Sequence, residues 1–218
     1  MKIEQTSTKD DLNLREVTRF LNLDYNKLAR EGQVKQLFET GVSKAMAVKI
    51  QTSGPEGKSI DLNTTARLAV GTNREGKPEI KMVFKNDTPK LDRYQNIDLT
   101  PNQQKELQKG NTLVVGDSSG REHIIKFDEQ LNRVAGMKKS AFLAPEQLGS
   151  PKTGYTRLTN SQQAELKKGN AIEVEIGGTK VKAQLDPIER KLNIEKSPKQ
   201  SLKINPATER KISKGPSL

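Results

Sequence analysis

Between residues 17 and 38 the apolar side chains fall on helical spacing. Val17, Phe20, Leu21 and Leu28 recur at about three to four residues, with Gly32 as a stop. Val34, Leu37 and Phe38 supply a second apolar face that ends at Gly41. The pattern predicts a pair of short helices. From residue 45 the period shortens. AMAVKIQ, SIDLNTTARLAV and EIKMVFKN alternate apolar and polar residues as strands do, and the turn-rich SGPEGK and GTNREGKP separate them. This predicts a small antiparallel meander. Its greasy face holds Val48, Ile50, Leu68, Val70, Ile80 and Val83, and the helix pair should cover it.

Further on, the chain writes one pattern twice. LTPNQQKELQKGN (99–111) and LTNSQQAELKKGN (158–170) agree at nine of thirteen positions, 59 residues apart. In the first copy Thr100 is the expected N-cap, Pro101 opens the helix, Gln103 completes a capping box, Leu107 points inward and Gly110 closes the helix. Thr159, Gln162, Leu166 and Gly169 repeat this. Strand pairs follow: TLVVGDSSGREHIIKFD in one copy, and AIEVEIGGTKVKAQLD in the other with Gly177 and Gly178 at the turn. A short apolar strand, NRVAGM or KLNIEK, ends each copy.

The predicted fold is α+β. A flexible stretch (1–13) precedes an N-terminal domain of helix pair plus antiparallel meander (14–95). Two helix–β-hairpin repeat modules follow (96–140 and 158–196), joined by a Pro- and Gly-bearing linker (141–157). The last 22 residues (197–218) carry five basic residues and one acid, +4 in all, and read as a disordered basic tail.

The order of these parts resembles a pair of bacterial domains of unknown function. The first opens with a short helical pair and continues into strands holding an "ARL.L" motif, matched here by ARLAV. The second carries the "LT..QQ..L..GN" helix followed by a hairpin, often directly after the first and in tandem. Proteins of this kind sit on conjugative transposons and other mobile elements, some fused to topoisomerase-like chains. The resemblance covers roughly residues 15 to 195. It implies a genomic setting, with no established activity.

Composition narrows the chemistry. The chain has 218 residues, 32% of them hydrophobic and 4% aromatic, with no Trp. That predicts thin modular cores and no aromatic platform for stacking bases. No Cys is present, so disulfides, thiolate metal sites and Cys nucleophiles are excluded together. The opening stretch lacks the apolar core of a secretory signal. No run approaches the ~18 apolar residues of a membrane helix. A cytoplasmic location with no membrane partner is therefore expected.

The net charge of +11, from 38 Lys and Arg against 27 Asp and Glu, favours a polyanion partner, nucleic acid first. The candidate contacts are lysines. Lys105 and Lys109 lie four apart on the helix side opposite Leu107, and Lys167 and Lys168 sit in the second copy. Lys180 and Lys182 alternate with Val181 along a strand, and Lys138 and Lys139 lie in GMKKS. Lysine is a poorer bidentate phosphate ligand than arginine, so loose binding without base reading is expected. The alternative is a protein-docking module, since a doubled unit also gains avidity. The helix QVKQLFET has few side chains suited to base edges, which disfavours a helix-turn-helix.

Catalysis finds no support. His123 is the single histidine and has no second His or Cys to complete a metal or nucleophile site. Asp117-Ser118-Ser119-Gly120 lacks the Lys and following helix of a phosphate loop and reads as a hairpin tip. Glu106 and Glu165 supply one carboxylate per helix, too few for an acid/base pair. A non-enzyme without cofactor, metal or small-molecule substrate is expected.

Overall fold

The computed structural model describes residues 13–53 and 59–196, and its mass lies in strands. Three short helices come first: α1 (Leu14–Phe20), α2 (Tyr25–Arg30) and α3 (Gln33–Thr40). They pack on a three-stranded antiparallel sheet of β1 (Met46–Ser53), β2 (Ser59–Thr72) and β3 (Pro78–Phe84). A two-stranded pair, β4 (Arg93–Tyr94) and β5 (Ile97–Asp98), leads to α4 (Pro101–Gln108) and a sheet of β6 (Leu113–Gly116), β7 (Glu122–Asp128) and β8 (Arg133–Lys138). After a second pair, β9 (Gln147–Ser150) and β10 (Gly154–Arg157), the pattern returns. It runs as α5 (Asn160–Lys167) and a sheet of β11 (Ile172–Ile176), β12 (Thr179–Asp186) and β13 (Lys191–Lys196).

The expected α+β fold of helix pair and helix–hairpin modules is therefore corrected. Among the described residues the structure is 44% strand and 23% helical, in five small antiparallel sheets. The helices span only six to eight residues, too short to stand alone, and each leans on a sheet. Among the described residues the N-terminal helices number three. The chain breaks after Leu21 at Asn22, whose φ is 51°, and restarts where the Asp24 carboxylate accepts from the Asn26 and Lys27 amides. Each repeat carries a full third strand: β8 pairs over six residues of β7, and β13 over six residues of β12. The supposed linker holds the β9–β10 pair. Leu148 is buried there, and the Thr156 hydroxyl donates to the Glu175 carbonyl of β11. The basic tail and residues 1–12 lie outside the described residues.

Alternation decides which faces bury. On β2 the even positions Ala66 and Leu68 join Val48 and Ile80 under Leu14, Val17, Leu21, Leu28, Val34 and Leu37. Val83, expected on that face, pairs with Arg67 on the opposite one. In each repeat a single helical leucine, Leu107 or Leu166, is fully buried against its own sheet.

The repeats also bury against each other. Ile124 and Met137 of the first pack with Leu185 of the second, and Phe142 and Leu192 join them. Gly169, with φ +81°, closes α5 hard against this contact. A Cβ there would meet the Thr112 methyl at 2.4 Å and the Ile124 Cγ2 at 3.2 Å.

Candidate functional site

The repeated signature turns out to be a structural kit. Thr100 and Thr159 accept from the Gln103 and Gln162 amides, and the glutamine side chains accept from the threonine amides in return. The Gln104 and Gln163 side-chain amides donate to the Leu99 and Leu158 carbonyls. Lys109 Nζ meets Glu106 at 2.6 Å, and Lys168 Nζ meets Glu165 at 2.7 Å. The same two carboxylates accept from the Asn111 and Asn170 amides at 2.6 Å. The bond from Lys109, then that from Asn111, holds the Glu106 carboxyl below its ordinary range; Lys168 and Asn170 do the same for Glu165. The nine shared letters thus cap and close a helix, which explains their repetition without a ligand.

Five of the eight expected contact lysines bond or stand opposite a carboxylate. Besides the paired Lys109 and Lys168, Lys139 bonds Glu122 at 2.8 Å. Lys180 stands across from Glu175, and Lys182 lies between Glu173 and Glu195 on the outer face of its sheet. Lys105, Lys138 and Lys167 are exposed and, among the described residues, have no carboxylate within 4 Å. Residues 99–140 carry seven cations and five acids, and residues 158–196 carry seven and six. The modules are nearly neutral.

Unmatched charge collects at the junction between the N-terminal sheet and the turns of the two repeats. The β7–β8 turn, Asp128 to Asn132, docks on the N-terminal unit. Asn86 and Asn132 exchange side-chain to carbonyl bonds at 3.1 and 2.9 Å. Arg67, 5% exposed, donates to Asp128 Oδ2 at 3.1 Å and to the Ser43 carbonyl at 2.6 Å. Asp128, 2% exposed, spends its other oxygen on the Gln130 and Leu131 amides.

The matching turn of the second repeat brings Arg190, 58 residues after Asn132 and with the same left-handed backbone (φ 53° against 51°). Its guanidinium passes over Gly41, where a Cβ would sit 2.9 Å from Nη1. Burial pushes its pKa below the ordinary arginine value, with the Tyr94 hydroxyl opposing, yet it remains a cation near neutrality. Burial likewise raises the Tyr94 hydroxyl, the Arg190 charge acting against it.

Around these groups lies a cavity of about 480 Å³, lined also by Lys90, Asp92, Arg93 and Arg133. Arg93 is held by Asp98 at 2.8 Å and Arg67 by Asp128. Among the described residues Lys90, Arg133 and Arg190 have no carboxylate within 4 Å, which leaves Asp92 as the one unspent acid in the wall.

His123 is buried behind this wall. Its ring meets Tyr94 edge-on at 5.5 Å, and Nε2 lies 3.6 Å from Asp117. Asp117 closes its hairpin tip with bonds to Ser119 and Arg121, as a turn residue does. Among the described residues no cluster of His, Cys, Asp or Glu could hold a metal, and no helix is long and apolar enough to cross a membrane. Sequence reading missed Arg67, Lys90, Arg133 and Arg190, because they come from four separate segments that only the fold brings together. The turn equivalence of Asn132 and Arg190 was the available signal. Comparison with protein families, with curated proteins and with solved structures finds no match for the chain.

Proposed function

We propose that this chain is a non-enzymatic accessory protein of a mobile genetic element that binds nucleic acid weakly and without sequence preference. The observation that carries the reading is the junction, where Lys90, Arg133 and Arg190 converge without carboxylate partners among the described residues. A chain of net charge +11 adds long-range attraction for phosphate. The contact moves from the repeat lysines to the junction, with Lys105, Lys138 and Lys167 as peripheral contributors. The mobile-element setting rests on the family resemblance.

A titration on random duplex and single-stranded DNA at low salt tests the reading. Binding is expected in the non-specific range of roughly 10⁻⁴–10⁻⁶ M, with log affinity falling by about 0.9 per neutralised duplex phosphate against log salt. Exchanging Lys90 and Arg133 for Gln should flatten that slope, and Lys109→Gln should leave it unchanged. No shift at tens of micromolar protein refutes nucleic-acid binding.

A second reading, a protein-docking module for a transfer or topoisomerase component, has one observation in its favour. β3 pairs only with residues 66–72 of β2, so the outer part of that strand has β1 alone. There Ile60 and Leu62 are 46% and 51% exposed. This reading predicts partner capture that survives nuclease and moderate salt, and that Leu62→Lys abolishes.

A further inference from the structure

We propose that the junction cavity is a seat for a phosphate monoester, which, resting on the nucleic-acid reading, is the terminal phosphate of a strand. The cavity has a mixed lining, with apolar residues such as Val83, Leu131 and Ile188 beside the cations Lys90, Arg133 and Arg190, whose charges favour an anion within it. Two buried guanidinium nitrogens, Nε of Arg190 and Nε of Arg67, have no acceptor in the protein. Both lie beneath the cavity surface with almost no solvent access, so an anion in the cavity would be held by the charge of the guanidinium groups and not by these nitrogens.

Charge selects the ligand. Three unmatched cations against Asp92 leave a wall near +2. A phosphate monoester carries about −1.5 to −2 near neutrality, whereas an internal phosphodiester or a carboxylate carries one charge. Size is compatible with a terminal phosphate group. About 480 Å³ falls within the range of small-molecule sites, roughly 300–1,000 Å³, and is room for a terminal group.

The architecture around Arg190 fits the role. A non-glycine residue in left-handed backbone is uncommon, and here it aims a long side chain across the bare Cα of Gly41. The equivalent Asn132 uses its side chain to tie the first repeat to Asn86. The second repeat has put a cation where the first has a docking amide. Arg67 is held from two sides by Asp128 and Ser43, so it is a fixed donor rather than a mobile one.

The test measures fluorescence anisotropy of labelled single strands ending in a 5′- or 3′-phosphate or in hydroxyls. Inorganic phosphate and a nucleoside monophosphate serve as competitors. The phosphorylated strand should bind at least about fivefold tighter, and both competitors should erase the difference. Arg190→Gln should abolish the preference, and Arg190→Lys should restore part of it. Arg133→Gln serves as a second variant should Arg190→Gln fail to fold. Equal binding of both ends, or a preference that survives Arg190→Gln and Arg133→Gln, overturns the seat and leaves the nucleic-acid reading standing. Saturable binding of the nucleoside monophosphate through Arg190, with no strand bound, supports the seat and refutes that reading. No binding of either overturns both.

Discussion

The Arg67–Asp128 pair should couple the N-terminal unit to the repeats energetically, and its strength can be worked out from its surroundings. The side chains are 6% and 3% exposed, and Nη2 lies 3.1 Å from Oδ2. At an effective dielectric near 20 that separation is an attraction of about 5 kcal/mol, which desolvation of both ions largely offsets. Removing one partner forfeits the attraction and keeps the desolvation, at a cost of about 3–5 kcal/mol. Asp128→Asn is the cleanest perturbation. It keeps an oxygen for the Gln130 and Leu131 amides, while its amide group faces the Arg67 guanidinium with donors against donors. Arg67→Met should cost less, toward ~3 kcal/mol, because Asp128 retains those two amides. The double variant removes both charges, so its loss should fall short of the sum by ~2 kcal/mol or more. Urea unfolding by circular dichroism gives all four stabilities, with the slopes checked for equality. Additivity within about 0.5 kcal/mol would show that the pair does not couple the units.

Two further outcomes follow from the helix ends and the hairpin tip. Gly110 and Gly169 share φ +81°, so alanine at either pays the left-handed penalty, but only at Gly169 does the Cβ strike Thr112 and Ile124; Gly169→Ala should lose ~1–3 kcal/mol more than Gly110→Ala, and equal losses in thermal melts would dissolve the contact between repeats. Bonds from the Ser119 hydroxyl, then from the Arg121 and Ser119 amides and the Arg121 guanidinium, hold Asp117 below its ordinary 3.8, so its contribution is present above that pH and lost as pH falls through the depressed value. Asp117→Asn should therefore flatten the fall in stability below about pH 4, and an unchanged acid limb would refute the assignment.

Local structure was legible where a residue's job depends on near neighbours. Thr100, Gln103, Leu107 and Gly110 announce a helix and its ends within eleven residues, and the structure uses them so. Fold class was not legible. The composition of 141–157 signals turns, but a turn can belong to a strand pair as readily as to a linker, and only the contact of Thr156 with β11 decides between them. Val83 shows the same limit at one residue. Its apolar character fits either face, and the register Arg67↔Val83 puts it on the junction side.

The candidate site was illegible for a related reason, and the two repeats show why. Lys182 lines up with Ile124, 58 residues earlier. Both lie on the outer face of their sheets, yet Ile124 is fully buried and Lys182 is exposed. The second repeat covers the first repeat's outer face, and nothing among the described residues covers its own in the same way. The same stacking carries the β12–β13 turn to the junction and Arg190 with it. Apolar packing between copies therefore adds Arg190 to a wall that already holds Lys90 and Arg133. A substitution that separates the repeats, such as Gly169→Ala, should weaken phosphate binding although it removes no charge, whereas Lys182→Gln removes a charge and should leave that binding intact.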